Sequence, residues 1–205
     1  MKLLAIESSG LVASAAVFAD DTIVAEFTVN NKQTHSQTLL PMIDQVVTMS
    51  GIDLKEIDAI ATTSGPGSFT GLRIGAATAK GLGLALHKPI VPITTLEALA
   101  FRLAGRDGNI CPMMDARRNQ VYAGVYRVGD MLLECVIGQK AVSIEDYIAE
   151  LNDLGDPVTV LGDGVPVHRE ALQQGLNVAW QEAPAHMNRQ SAASVAVLGA
   201  RYYDE

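Results

Sequence analysis

Short apolar runs and helical repeats alternate along the first half of the chain. Apolar residues in consecutive or alternating positions are typical of strands, and apolar residues that recur every three or four positions are typical of helices. Leu39, Ile43 and Val46 recur in this helical way. The pattern predicts strands at Leu3–Ile6, Val12–Phe18, Thr22–Val29 and Ile57–Ala61, a short strand bracketed by Pro89 and Pro92, and helices at Ser36–Met49, Gly71–Leu86 and Thr95–Leu103.

The second half repeats this order of elements without a matching repeat in the sequence. It predicts strands at Ile110–Met114, Asn119–Tyr126, Met131–Ile137 and Val158–Leu161, and helices at Ile144–Leu151, Val167–Gln174 and Arg189–Tyr203. The duplicated strand-strand-strand-helix-strand-helix order (βββαβα) predicts two α/β lobes. We place these lobes at residues 1–105 and 106–188, divided at the polar, glycine-containing segment 105–108. The last helix, at 189–203, is expected to pack back on the first lobe.

Composition and charge narrow the classes of function. The chain has 205 residues, of which 48% are hydrophobic, and its 15 basic and 23 acidic residues give a net charge of −8. A protein that binds nucleic acid by itself normally carries a basic face, so autonomous binding is not expected. We find no apolar run of 18 residues and no secretory signal, so we expect a cytoplasmic protein without membrane contact. Cys111 and Cys135, without a paired framework around them, are expected to be small buried thiols.

A glycine-rich segment, Thr62–Gly75, lies between a predicted strand and a predicted helix, where α/β folds present backbone N–H groups to anions. Its glycines do not have the spacing of a dinucleotide fingerprint, and it lacks the lysine of a P-loop and the pattern of a nucleophile elbow. Two interpretations remain: a loop that cradles phosphate, and a rigid turn that positions the helix behind it.

That helix carries a row of very small residues at every fourth position, Gly71, Gly75, Ala79 and Gly83. Each interior glycine costs about 0.5–1 kcal/mol relative to alanine, so close backbone approach on this face should offset the cost. The approach could be to the lobe's own sheet or to another helix. Leucines and Ile74 surround the rest of the helix, which favours burial on several faces and suggests a partner surface. The helix 36–49 invites the same hypothesis, because Leu40, Met42, Val47 and Met49 lie off its core stripe.

Four motifs resemble those of the TsaB (YeaZ) family. They are LAIESS at residues 4–9, HSQTLLP at 35–41, the specific GPGSFTGLRIG at 65–75, and DARRNQVY at 115–122. The resemblance implies the two-lobed actin-like ATPase and sugar-kinase (ASKHA) fold. It also implies a role in making threonylcarbamoyladenosine beside the anticodon of tRNAs that read codons starting with A. Family members usually carry a further C-terminal segment, so we expect this chain, which ends at Glu205, to lack it.

The resemblance further implies a subunit that docks on the catalytic paralogue TsaD. The ATPase TsaE would join the complex, and TsaC would supply threonylcarbamoyl-adenylate. The chain would meet tRNA only through the complex. Because the docking face is apolar, the free protein is expected to form a homodimer through the same face. The expected interface consists of His35, Leu39, Leu40, Ile43, Val47, Gly71, Arg73, Gly75, Ala79, Leu82 and Gly83.

No catalytic or metal-binding residue is expected. The catalytic paralogue binds its metal through two histidines four residues apart, and the matching positions here are Thr95 and Leu99, which are poor ligands. The four histidines are scattered and include no His-Glu-x-x-His pair, so a peptidase is a remote third hypothesis.

An autonomous ATPase or small-molecule kinase of the same fold is the alternative function. We expect no cofactor, but leave weak or interface-dependent binding of ATP or ADP with Mg²⁺ open. The residual phosphate-loop residues would be Glu7, Ser8, Ser9, Gly65, Gly67 and Ser68. Glu7 would face the nucleotide's metal ion or, as a simple turn residue, accept hydrogen bonds from the N–H groups of Ser9 and Gly10. Asp115, Arg117 and Arg118 are expected to form a charged hairpin turn.

Overall fold

Strands and helices alternate through the computed structural model, which describes residues 1–30, 34–129 and 132–204. The strands are β1 (Lys2–Glu7), β2 (Ala13–Ala19), β3 (Thr22–Val29), β4 (Ala59–Gly65), β5 (Ile90–Thr94), β6 (Asn109–Arg117), β7 (Gln120–Gly129), β8 (Leu132–Ser143), β9 (Val158–Leu161) and β10 (Trp180–Glu182). The helices are α1 (His35–Ser50), α2 (Phe69–Leu86), α3 (Thr95–Phe101), α4 (Ile144–Leu154), α5 (Gly164–Gly175) and α6 (Ala192–Asp204), with a short 3-10 turn at Leu54–Glu56.

The chain divides into two compact units. Unit 1 comprises residues 1–98 together with 190–205, and unit 2 comprises residues 99–189. The sequence analysis places the division after Gly105, whereas the division in the structure falls after Ala98, inside α3. A helix that runs through the boundary has no turn residues to mark it, and the loop at 105–108 is the more visible signal.

Unit 1 is built on a five-stranded sheet of order β3-β2-β1-β4-β5. β1 pairs antiparallel with β2 and parallel with β4, so it occupies the centre of the sheet. Because side chains alternate across a strand, Leu4 and Ile6 pack into a core with residues of α1 and α2. Leu3 lies instead against Gly199 of α6, which covers the opposite face.

A polar cluster anchors the start of α6 to the sheet of unit 1. The Glu26 carboxylate of β3 accepts hydrogen bonds from the Ser191 hydroxyl (2.6 Å) and from the Ala193 N–H (3.3 Å). The hydroxyls of Ser14 and Thr28 also bond this carboxylate, each at 3.2 Å. A negative charge at a helix N-terminus is favourable, because the first backbone N–H groups lack helical partners. This cluster joins two segments of the chain that are 165 residues apart.

Unit 2 repeats the architecture on its own sheet, of order β10-β9-β6-β7-β8. Its central strand β6 pairs antiparallel with β7 and parallel with β9, as β1 does with β2 and β4. Residues of α4 and α5 pack on this sheet in a second core that includes Val121, Tyr147 and Leu172. The duplication predicted from the order of elements is therefore present in the fold.

Three elements of unit 2 differ from the sequence-based prediction. β10 is missed, because three residues are too few to show a strand pattern. α5 begins at Gly164 rather than Val167, and β8 extends to Ser143 rather than Ile137 because its pairing with β7 continues past two register shifts. Met131, the predicted first residue of that strand, lies outside the described residues. Cys111 is a buried free thiol as expected, but Cys135 of β8 is exposed, so its predicted burial is wrong.

Candidate functional site

Glu7 is the last residue of β1 and lies at the carboxyl end of the strand. Its side chain is fully buried, and Oε1 accepts hydrogen bonds from both the backbone N–H and the hydroxyl of Ser9, each at 2.6 Å. Oε2 is also buried and has no hydrogen-bond partner among the described residues. Burial raises the pKa of Glu7 to about 7, while the bonds from Ser9 and the nearby Thr63 hydroxyl oppose that rise. Glu7 thus adopts the turn geometry through Ser9, but the expected bond from the Gly10 N–H is not among the hydrogen bonds of the described residues.

The glycine-rich loop closes directly on this turn. The Ser68 N–H donates to the Ser9 carbonyl at 2.7 Å, and the Ser8 hydroxyl donates to the Gly71 carbonyl at 2.9 Å. A Cβ at Gly67, where φ is +153°, would lie 2.2 Å from the Ser9 oxygen, so only glycine fits there. Gly65 ends β4 and is buried as well. The structure thus brings Glu7, Ser9, Gly67 and Ser68 together, with Ser8 bound to the start of α2.

Two backbone donors of the glycine-rich loop, the N–H groups of Ser68 and Gly71, are taken by contacts within unit 1. The Ser68 N–H is taken by Ser9, and the Ser68 hydroxyl oxygen caps α2 by accepting from the Gly71 N–H at 3.2 Å. A phosphate cradle needs several unpartnered N–H groups that converge on one point. The contacts of Ser68 thus hold the loop against the β1 turn, and this geometry favours the rigid-turn interpretation.

The small-residue row of α2 faces the interior of unit 1. Gly71, Gly75, Ala79 and Gly83 are its four buried residues. A Cβ at Gly71 would lie 2.1 Å from the Ser8 carbonyl oxygen, and a Cβ at Gly75 would lie 2.3 Å from the Ser8 hydroxyl oxygen. The close approach is therefore to the unit's own sheet. These four residues, all part of the predicted interface, offer no side-chain surface to a partner, and Ala79 is fully buried.

The predicted interface residues of α1 also divide between core and surface. Leu39 and Ile43 are buried in the core beside β1, which removes them from any exposed interface. Leu40 is 57% exposed, and Val47 is half-buried. His35 begins the helix, and its Nε2 lies 2.8 Å from the Gly10 carbonyl oxygen, so the imidazole ties α1 to the β1–β2 turn.

α1 and α2 lie side by side on one face of the sheet and expose apolar side chains outward. Phe69 is 69% exposed and Leu84 is 79% exposed, although neither belongs to the predicted interface. The Arg73 guanidinium lies 3.7 Å above the Phe69 ring, and Leu82 is half-buried. Val47 and Leu82, both in the predicted interface, pack against the core of unit 1. We define the α1/α2 outer surface by its exposed residues Leu40, Phe69, Arg73, Ala77 and Leu84. Exposed apolar positions at the ends of α2 are visible in the sequence only once the inward face of the helix is known.

The remaining candidate positions are distributed between the two units. Thr95 and Leu99, at the two positions where a histidine pair would bind metal, are buried in α3. The part of the chain that the structure describes contains no cluster of three His, Cys, Asp or Glu side chains suited to a metal ion. Asp115, Arg117 and Arg118 lie exposed at the β6–β7 hairpin of unit 2. None of the described helices combines the length and apolar character needed to cross a bilayer.

Comparison with known proteins identifies the family. The chain is 32% identical over 199 residues to the tRNA threonylcarbamoyladenosine biosynthesis protein TsaB of Bacillus subtilis, a match that covers 97% of this chain and 87% of that protein. The chain belongs to the TsaB/YeaZ family. Escherichia coli TsaB is 36% identical over 129 residues, which cover 62% of this chain and 55% of that protein. The resemblance drawn from the four motifs is confirmed.

Family and structural comparisons agree with the TsaB/YeaZ assignment. A family model described as TsaD, tRNA N6-adenosine threonylcarbamoyltransferase, matches residues 22–202. A Pseudomonas aeruginosa protein described as similar to the peptidase YeaZ superposes with a TM-score of 0.82 at 25% identity, covering 99% of this chain and 92% of that one. A ROK hexokinase from Thermus thermophilus superposes with a TM-score of 0.52 at 14% identity, with each chain fully covered. The predicted actin-like ATPase and sugar-kinase fold is confirmed.

Proposed function

We propose that this chain is a subunit of the machinery that makes threonylcarbamoyladenosine in tRNA, and that it docks on a TsaD-type catalytic subunit. The names of the TsaB relatives support the pathway. The observation that carries the docking proposal is the α1/α2 outer surface, where Leu40, Phe69 and Leu84 are each more than half exposed on adjacent helices. Exposed apolar side chains on a rigid helical face are typical of protein interfaces.

The same surface serves self-association in the absence of the partner. A symmetric dimer buries one patch against its own copy, so an apolar patch that normally meets a paralogue of the same fold can also meet itself. We therefore propose a homodimer that the catalytic subunit replaces, with TsaE joining the resulting complex. With a net charge of −8, the chain meets tRNA only within that complex.

The chain itself performs no chemistry in this proposal. The match to the transferase family model reflects shared ancestry, whereas the residue types at the two metal-ligand positions differ from histidine. Leu99 has no lone pair to donate, and the Thr95 hydroxyl is a weak ligand compared with an imidazole.

Charge insertion tests the docking surface. We expect Leu40→Glu and Leu84→Glu each to weaken binding to TsaD of the same organism at least about thirtyfold, because burying an uncompensated carboxylate costs about 2 kcal/mol or more. Val167→Glu is the matched control, since Val167 is 60% exposed on α5 of the other unit. Size-exclusion chromatography with light scattering, for each variant alone and mixed with TsaD, measures both associations.

Three outcomes would contradict this proposal. If both α1/α2 variants bind TsaD as tightly as the unchanged chain, the surface assignment fails. If the Val167→Glu control loses binding equally, the effect is a general consequence of added charge. A wild-type chain that forms no complex with TsaD would remove the docking role itself.

Nucleotide binding is a second candidate, favoured by one observation. The buried Oε2 of Glu7 lacks a partner, and a Mg²⁺ ion or its bound water could satisfy it. A single carboxylate does not make a magnesium site, so such binding would need groups from a partner surface. Calorimetry with ATP and Mg²⁺, on the chain alone and on its TsaD complex, tests this. Heat that appears only in the complex and disappears with Glu7→Gln would support it, and no heat in either sample would dismiss it.

A further inference from the structure

The tip of the β6–β7 hairpin has a backbone that its residues do not favour. Arg117, Arg118 and Asn119 all have positive φ, at 64°, 53° and 61°. Arg117 pairs with Gln120, so Arg118 and Asn119 form a two-residue turn, and a register shift places Arg117 at a bulge. Glycine or asparagine normally fills such positions, because a Cβ crowds the backbone there. Only Asn119 has a side chain suited to its position, so the fold does not account for the two arginines.

Contacts within unit 2 hold this tip rigidly. The Asn119 side-chain amide donates to the Glu145 carboxylate at 2.7 Å, and the Asn119 backbone carbonyl accepts from the Ile144 N–H at 3.1 Å. These two bonds hold the tip against the start of α4. The Asp115 carboxylate accepts from the Arg117 N–H at 2.8 Å. The two nearest carboxylates thus bind polar groups of the turn itself.

The guanidinium groups of Arg117 and Arg118, in contrast, have no ion pair or side-chain hydrogen bond with any residue that the structure describes, and both residues are exposed. Three other cations of the same unit form ion pairs: Arg127 with Asp156, Lys140 with Glu150 and Arg169 with Glu182. The tip therefore presents two adjacent unpaired guanidinium groups on a braced backbone. A guanidinium binds phosphate through two parallel hydrogen bonds, and holding the backbone in advance lowers the entropy lost on binding.

We propose that Arg117 and Arg118 contact phosphate groups of the tRNA backbone when the chain is part of its complex. This inference rests on the proposed function, which brings tRNA to the complex. It also agrees with the net negative charge of the chain, because two phosphate contacts add to the binding of a larger assembly without giving autonomous affinity.

The test compares the complex of the unchanged chain and TsaD with the complex of the Arg117→Gly/Arg118→Gly variant. Glycine suits both positive φ values, so the variant is expected to keep its melting temperature or gain up to about 2–4 °C. Its affinity for an unmodified tRNA transcript should fall at least about tenfold near 0.1 M salt, since counterion release makes each phosphate contact worth about five- to eightfold there. The slope of log affinity against log salt should also fall by about 1.5.

A charge-matched control removes two cations elsewhere, as Lys55→Ala/Arg106→Ala, and is expected to leave the tRNA affinity and salt slope near those of the unchanged chain. In the modification assay, the hairpin variant should raise KM for tRNA without lowering kcat. An Arg117→Lys/Arg118→Lys variant should recover the salt slope but only part of the affinity, because lysine keeps the charge but cannot form the two parallel hydrogen bonds of a guanidinium.

The outcomes separate this inference from the proposed function. Equal tRNA affinity for the unchanged and glycine complexes overturns the hairpin assignment and leaves docking intact. Loss of TsaD binding by the glycine variant also overturns it, because the tip would then contact protein. A wild-type chain that forms no complex, or whose complex does not bind tRNA, overturns the proposed function and this inference together.

Discussion

Replacing Gly71 with alanine should separate the start of α2 from the end of β1. The new Cβ would lie 2.1 Å from the Ser8 carbonyl oxygen, whereas ordinary contacts between carbon and oxygen are about 3.3 Å or longer. The helix start must therefore move by about 1 Å. Such overpacking typically costs about 1–3 kcal/mol, and the Ser8–Gly71 hydrogen bond adds about 1 kcal/mol when it breaks. The helix propensity of alanine returns about 0.5–1 kcal/mol. We expect a net loss of about 2–3 kcal/mol in the free energy of unfolding.

Gly81→Ala is the matched control on the same helix. No atom lies within 4 Å of a Cβ built at Gly81, and the residue is exposed. This substitution should stabilise the protein by about 0.5–1 kcal/mol. The two variants add the same methyl group to α2, so the difference of about 3 kcal/mol between them isolates the contact with Ser8.

Urea unfolding monitored by far-UV circular dichroism is the appropriate assay. The sole tryptophan, Trp180, lies in β10 of unit 2, so its fluorescence would report on the other unit. Amide hydrogen exchange of α2 supplies a local check, since the Gly71→Ala variant should lose protection there first. If the two variants have equal stability within about 0.5 kcal/mol, the close packing of the small-residue row does not determine the position of α2, and our reasoning is refuted.

Three further substitutions probe the two units. The pKa of Glu7 is raised from 4.5 to about 7, so its neutral form stabilises the fold fully below pH 4.5. Up to about 3 kcal/mol of this stability is lost as the pH rises through 7. Glu7→Gln should remove that loss, and the prediction is contradicted if the urea midpoint of the variant differs from that of the wild type by the same amount at pH 5 and pH 8. Glu26→Ala should destabilise α6 by about 1–2 kcal/mol, because the Ser191 hydroxyl and neighbouring donors lose their acceptor, and hydrogen exchange of α6 should rise. Tyr147→Phe should cost about 1–2 kcal/mol, since it leaves the buried Gly124 carbonyl without the hydroxyl that donates to it at 2.8 Å, and here tryptophan fluorescence is the right monitor.

Local patterns carry most of the secondary structure, and the reasons are physical. β1 to β3 appear as short runs ended by turn residues, and α1 shows its core stripe at Leu39, Ile43 and Val46, all of which are buried. Met42 is also buried, so its placement off that stripe is wrong: it lies three residues after Leu39 and four before Val46, on the same face of the helix. Periodicity gives the centre of a buried face more reliably than its width.

Long-range contacts decide the features that the sequence analysis does not reach. The small-residue row of α2 predicts a face of close approach, but the same row would suit a sheet or a second helix, and only the register of Ser8 against Gly71 and Gly75 decides between them. The contact between Glu26 and Ser191 that anchors α6 joins distant segments of the chain, so no local sequence pattern predicts it. The positive φ values at Arg117 and Arg118 are likewise hidden, because arginine is not a residue that signals such a turn.

The contacts of the glycine-rich loop also hold the helix that presents the α1/α2 outer surface. Ser9 and Ser68 occupy donors that an anion site would need, and in doing so they hold the start of α2 tightly against the β1 turn. The small-residue row then lets α2 lie close to the sheet. The exposed side of the helix, with Phe69, Arg73 and Leu84, is therefore held in place by packing along the helix. A surface whose backbone is already ordered loses little conformational entropy on association. The glycines thus lower the stability of the helix within the chain but provide a rigid surface for a partner. We therefore expect a substitution that breaks the Gly71 contact also to weaken binding at the docking surface.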